Sequence, residues 1–317
     1  MRALLSALLL TGAVAMAHAQ TDYPNRPVRI VVPSEPGGGT DISARILAER
    51  LSQAMGQQFV VENRPGAGQM IGTEQVARSP ADGYTLLVAA AAITILPATN
   101  PNVKFDILRD FAPVSQLISS PSMLVTPASL PFKTLKEFIA GVKAKPGEFN
   151  FGSAGPGTQP HMAFELFRVM AGLDMQHVPY KGIAPALNGV IAGQVSAIII
   201  NPLSAKSQIE AGNVRGLGIS SATRSSIMPD IPAIAEAVPG YEAIQWYGLF
   251  APAGTPAPII ARLHKEIAAA LKSPEMQKRM QADAAEAVGN SPAEFSAQVE
   301  SELVKWAKVA QTAKIAK

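Results

Sequence analysis

RIVVPSEPGGGTDISARILAERLSQAM, residues 29–55, divides into three parts. Arg29 to Pro33 is a β-branched apolar run that predicts a buried strand. Ile42, Ile46, Leu47, Leu51 and Met55 recur at three- and four-residue spacing and predict a helix, with Gly56 placed to end it. Between them lies Gly37-Gly38-Gly39. Glycine allows positive φ and close backbone approach, and Thr40 or Asp41 is placed to cap the amides that follow. First-turn amides and the positive end of the helix dipole favour a carboxylate or phosphate by roughly 0.3–2 kcal/mol. The stretch therefore reads either as an anion cradle or as a plain strand-to-helix turn.

The same device recurs. QFVVE at 58–62 predicts a second strand, Asn63 to Gly68 a Pro/Gly loop, and Met70 to Ala77 a helix. Asp82-Gly83 is a turn signal before a third apolar strand, Tyr84 to Ala90. Residues 29–90 thus read as βαβαβ, a parallel sheet covered by helices, with ligands expected beyond the carboxyl ends of its strands. Phe111 to Thr126 is extended and interrupted at Ser119 to Ser122, where the chain is expected to cross into a second domain. There, Leu135 to Val142 predicts a helix, Phe149 to Gly152 a strand, and Ser153 to Thr158 another glycine loop before a helix with Met162, Leu166, Val169 and Met170. Gln194 to Ile200 and Val214 to Ser220 supply further strands, and Tyr241 to Phe250 the return crossing. Ser291-Pro292 opens a last helix with Phe295, Val299, Leu303, Trp306 and Val309 on one face.

At 317 residues the chain is long enough for two domains. Arg2, the apolar run Ala3 to Val14 and Ala17-His18-Ala19 read as a secretory signal peptide, residues 1–19, cut before Gln20. No later stretch supplies about 20 apolar residues free of charge and proline, so a soluble periplasmic protein is expected. There is no cysteine, which excludes disulfides, thiolate metal sites and a lipid anchor. The formal charge of +3 is too small a bias to point to nucleic acid.

HExxH, GxSxG and a Walker lysine are missing, which points away from an enzyme. No metal or cofactor is implied. His18 leaves with the signal, and His177 and His264 read as structural. His161 falls in the first turn after the second glycine loop, where it could donate to an anion or serve in capping and packing.

The motifs VVPSEPGGGTDISAR (31–45), VVENRPGAGQMIGTEQVA (60–77), ADGYTLL (81–87), FGSAGPGTQPHMAFELF (151–167), HVPYKG (177–182) and MPDIPAIAEAVPGYEAIQWYGLFAPAGTP (228–256) stand in a specific order. In this order they resemble the Bug family, the TctC-like substrate-binding proteins of tripartite tricarboxylate transporters. The resemblance implies an α/β, type II periplasmic-binding-protein fold: two lobes joined by crossing strands, with a ligand cleft between them. The lobes are expected at 20–122 with 244–317, and at 123–243. The implied function is capture of a small organic carboxylate for membrane subunits of the transporter, by a monomer that closes about a hinge. The alternatives are a sensor that touches a histidine kinase ectodomain, and a secreted hydrolase or isomerase.

Carried over position by position, the resemblance implies ligand contacts from Ser34, Glu35, Pro36, Gly37, Gly38, Gly39 and Thr40, with Asp41 holding that loop. Asn63 and Ala91 join them from the same lobe, and Ser153, Ala154, Gly157, Thr158, His161 and Asn201 from the other. The family usually has an aromatic residue where this chain has Ser34 and a small one where it has Glu35. Loss of the aromatic at Ser34 implies a wider pocket and a ligand longer than a four-carbon diacid, aromatic for example. Glu35, awkward beside an anion, either points to solvent or contacts an amine or hydroxyl of the ligand. Ser196 and Ile200 stand where relatives often carry acidic residues, which argues against recognition of an amino group there.

Overall fold

The computed structural model describes residues 23–225, 228–282 and 284–315; the expected signal peptide lies outside them. The chain opens with β1 (Val28–Val32), α1 (Gly39–Met55), β2 (Phe59–Asn63), α2 (Met70–Ala77), β3 (Thr85–Ala90), α3 (Ala92–Thr99) and α4 (Ile107–Asp110). It then crosses through β4 (Phe111–Pro121) and β5 (Met123–Pro127), which are separated by Ser122 alone. There follow α5 (Leu135–Ala144), β6 (Phe149–Ser153), α6 (Gln159–Ala171), β7 (Met175–Pro179), α7 (Ile183–Ile191), β8 (Ala197–Ile200), α8 (Pro202–Glu210) and β9 (Val214–Ile219). The chain returns through β10 (Ile244–Pro252) and ends with α9 (Ala257–Leu271), α10 (Pro274–Ala282), β11 (Glu286–Ala287) and α11 (Pro292–Thr312).

These elements make two sheets, ordered β11-β4-β10-β3-β1-β2 and β7-β6-β8-β5-β9. β1 is parallel to β2 and β3, whereas β10 is antiparallel to β3 and β4. Because β4 and β5 belong to different sheets and β10 returns to the first, two extended segments join two α/β lobes. The parallel strands of each lobe run their carboxyl ends toward loops that open helices, as strand-loop-helix connectivity requires.

α1 buries Ala44, Leu47, Ala48, Leu51 and Met55. At 3.6 residues per turn, Ile42 and Ile46 fall roughly opposite that stripe, and Ile42 is 41% exposed. Ile46 is partly buried and packs at the edge of the core, whereas Ile42 is left off it; Ala44 and Ala48 join the core face, because small side chains let the helix lie close on the sheet.

The last helix ties the lobes together. Phe295 and Val299 pack with Trp246 and Phe250 in the first lobe, whereas Trp306, Val309 and Ala310 join the core of the second with Ile95 and Ala98 of α3. Buried Glu302, between the two halves, accepts from Trp246 Nε1 (2.9 Å) and Thr94 Oγ1 (3.0 Å). Ser291 and Glu294 close the reciprocal cap at its start. Among the described residues no helix is long and apolar enough to cross a membrane.

AITILPAT at 92–99, where no element is expected from the sequence, folds as α3, so Ala91 stands before a helix. His177 lies within β7, opposite Phe151 of β6.

Candidate functional site

The first glycine loop is held from beneath by Asp41. Its Oδ2 accepts from the Gly37 amide at 2.9 Å and from Arg45 Nε at 3.0 Å, and its Oδ1 from Asn63 Nδ2 at 3.0 Å. Asn63 Nδ2 also donates to the Ser34 carbonyl at 3.1 Å, and Asn63 Oδ1 accepts from Arg45 Nη2. Burial pushes the Asp41 carboxyl up, but Arg45, the Gly37 amide and Asn63 outweigh it and hold it below its ordinary value. Gly37 takes φ +84°, a region that favours glycine.

The positive end of α1 therefore already faces an ionised carboxylate, and the Gly37 amide is engaged. Asp41 caps Gly37 rather than the helix; neither it nor Thr40 caps α1, whose N-cap Gly38 has no side chain. Glu35, Pro36, Gly37, Gly38 and Gly39 are exposed, whereas Thr40 is buried. A Cβ at Gly39 would run into the Tyr247 hydroxyl, so glycine there reflects the close approach of the return strand. Ala91 is buried and its amide donates to the Trp246 carbonyl at 2.9 Å.

The second glycine loop is also braced internally. The Ser153 hydroxyl accepts from the Gly155 amide at 3.0 Å and lies 2.6 Å from His177 Nε2. Thr158 Oγ1 donates to the Gly155 carbonyl at 2.7 Å. His161 was expected as an anion donor or as a capping and packing group, and the geometry is that of the latter. It is 4% exposed, its Nδ1 accepts from the Gly157 amide at 3.0 Å, its Nε2 lies 3.7 Å from Glu165, and its ring stacks on His177 at 3.9 Å. The cause is the apolar wall behind it, where Phe151 stacks on Phe164 and His177. Ala154 is half-buried, and Gly157 reaches across to the first lobe, facing Thr99 of α3.

Ser153 and His177 have the reach of a nucleophile and its base. Ser153, however, is fully buried with its hydroxyl already in a turn, and burial, followed by the neighbouring His161, pushes the His177 imidazole down to about 4. His177 is thus neutral in the fold and charged in the unfolded chain between pH 6.5 and about 4. A depressed histidine contributes stability that is present above its unfolded value and lost as pH falls through the folded one. The melting temperature is expected to fall across this window. His177→Gln, which keeps a hydrogen-bonding group beside Ser153, should flatten the fall; equal slopes for the two proteins would contradict this account.

An unpaired buried donor and two uncapped helix starts meet between the lobes. A cavity of about 220 Å³ is bordered by Ser122, Gln159, Pro160, Ile183, Asn201 and Tyr247, among others. α6 and α7 both begin there, and neither has a side-chain cap or an acidic residue in its first turn. Gln159, 8% exposed, has an Nε2 without a hydrogen-bond partner. α8 differs, since Asn201 Oδ1 accepts from the Leu203 amide at 2.9 Å. Asn201, Gln245 and Tyr247 also border a second cavity of about 260 Å³, which Gly39 borders as well. Gly157 and Thr158 border a third, against Gln69 and Thr99. Gln159, Gln245 and Tyr247 were not expected as site residues. Gln159 was hidden behind His161, and Tyr247 inside a run that reads only as a strand.

A family model described as tripartite tricarboxylate transporter family receptor matches residues 43–315. The chain belongs to that family. The receptor is 36% identical over 310 residues to protein BugT of Bordetella pertussis, covering 97% of this chain and 95% of the relative. Its fold matches Rpa4515 of R. palustris, solved with adipate, at 38% identity and TM-score 0.76, over 93% of this chain and 99% of that one. It also matches MatC of Rhodopseudomonas palustris, solved with malate, at 31% identity and TM-score 0.73, over 90% and 99%. The receptor is thus an α/β, two-lobed periplasmic solute-binding protein of the Bug type. Its family consists of substrate-binding proteins that work with tripartite transporters, and among the described residues no cluster of three metal-ligating side chains occurs.

Proposed function

We propose that this receptor captures a small organic carboxylate between its lobes, without transforming it, and delivers it to the membrane subunits of a tripartite transporter. One observation supports this most: two helices begin at one interlobe cavity without cap or acidic residue, beside a buried Gln159 whose Nε2 has no partner. The first amides of a helix lack intrahelical acceptors, so this cavity offers donors with no carboxylate beside them in either first turn, an environment that suits an anion. The first glycine loop is poorer in this respect, because Asp41 already supplies its negative charge.

The carboxylate is therefore placed on the second lobe, at Gln159 and the first turns of α6 and α7, with Asn201 beside it. Ser34 to Thr40 face it from the first lobe as the closing wall, and Asp41 and Asn63 set that wall's shape. Ser153, Ala154, Gly157, Thr158 and His161 hold the loop that positions α6. The adipate and malate complexes of the two relatives fit this chemistry. Export by the amino-terminal signal, action as a monomer, and closure about Ser122 and the return strand complete the proposal.

The test is a thermal-shift screen of purified protein stripped by unfolding and refolding, with adipate, hexanoate, benzoate and citrate set against glucose and ethanolamine. A ligand at about 100 times its Kd adds roughly 2.7 kcal/mol. Shifts confined to carboxylates are expected; shifts with glucose or ethanolamine alone would overturn the assignment.

A further inference from the structure

The cavity of about 260 Å³ beside the carboxylate position is lined both by polar groups, Ser120, Asn201, Gln245 and Tyr247, and by a wall of large apolar side chains. Its walls include Ile42 and Ile46 of α1, Ile118 of β4, Leu203 of α8 and Met280 of α10. Ile42 is 41% exposed and Leu203 42%, and they belong to opposite lobes. Singly exposed apolar residues are common on a surface; these two line the same interlobe cavity, with Ile46, Ile118 and Met280 beside them. The helical stripe of α1 does not need Ile42, because its core face is made by Ala44, Leu47, Ala48 and Leu51.

The two cavities are continuous in their lining, since Asn201, Gln245 and Tyr247 border both. Tyr247 is half-buried and set against Gly39 at the start of α1, and it borders both the cavity with Gln159 and the one with Ile42 and Leu203. Together the two volumes lie at the lower end of the range for small-molecule sites, about 300–1,000 Å³.

We infer that the ligand is amphiphilic: a carboxylate with an apolar chain or ring, the charged end at Gln159 and the apolar end past Tyr247, between Ile42 and Leu203. This rests on the carboxylate assignment above and adds the chemistry of the other end. Ile42 and Leu203 are then residues that set specificity, one from each lobe, and closure on the apolar end covers both.

The test is calorimetric titration of the purified protein with straight-chain monocarboxylates from propionate to octanoate, on the wild type and on the double variant Ile42→Ser/Leu203→Ser. Both positions are exposed, so the variant is expected to melt with the wild type. Wild-type Kd should fall by about fourfold per added methylene, the factor that corresponds to about 0.8 kcal/mol per buried CH₂, until the compartment is filled. The double variant should lose most of that dependence, its Kd falling by less than about twofold per added methylene. Binding that is independent of chain length in the wild type would overturn the amphiphilic ligand and leave the carboxylate assignment standing. An undiminished dependence in the double variant would place the tail elsewhere and overturn the inference too. Failure of every chain length to bind, with adipate or citrate still binding, would overturn the amphiphilic ligand and leave the carboxylate assignment standing.

Discussion

Gln159→Glu is expected to weaken binding of any carboxylate ligand more than 100-fold without unfolding the protein. The substitution removes the donor at Nε2 and sets a negative charge where the ligand's carboxylate is assigned, and like charges brought together at a desolvated contact cost several kcal/mol. The fold should tolerate it. Gln159 is the first residue of α6, whose first turn has no acidic residue, and a carboxylate there favours the helix dipole by about 0.3–1 kcal/mol. Titration against the best ligand of the screen, with melting recorded in parallel, checks both halves. A variant that binds within threefold of wild type would remove Gln159 from the site.

Trp306→Ala should be the most destabilising single change on the last helix, at about 3–5 kcal/mol for an aromatic side chain lost from a packed core. Trp306 is 1% exposed and shares one cluster with Ile95 and Ala98 of α3 and with the body of the second lobe. Its removal leaves a void where α11 ties the lobes, and the loss should appear as a lower urea midpoint. A change below about 1 kcal/mol would mean that the helix end contributes little to holding the second lobe.

Much of the fold was legible because its signals are local. β1, β2, β3 and β6 are short β-branched or aromatic runs next to glycine loops, and Ser291-Pro292 marks the start of α11 through a cap and a fixed φ. α3 was not legible: AITILPAT is β-branched, carries Pro97 inside the helix, and follows an alanine-rich strand without a break. The framework of the site was legible in the same way, through glycines and through Asp41 placed to hold its loop. What fills that framework was not. The amides of Gly37, Gly157 and Ala91 are each taken by a partner, Asp41, His161 and Trp246 respectively; the first two stand four residues on, but the third is remote in sequence and spacing does not reveal it. Gln159 and Tyr247 matter through a missing hydrogen bond and a shared wall, which exist only after the lobes are assembled.

The central claim is that the carboxylate lies on the second lobe, at the starts of α6 and α7. Amide NMR of ¹⁵N-labelled protein, titrated with hexanoate, tests it most directly. The largest shifts are expected at the Gln159 side-chain amide and at the backbone amides of Gln159, Ile183 and Ala184, with smaller ones along 34–40. Shifts concentrated at Gly38 to Asp41, with Gln159 and Ile183 unmoved, would return the anion to the first glycine loop and contradict the account.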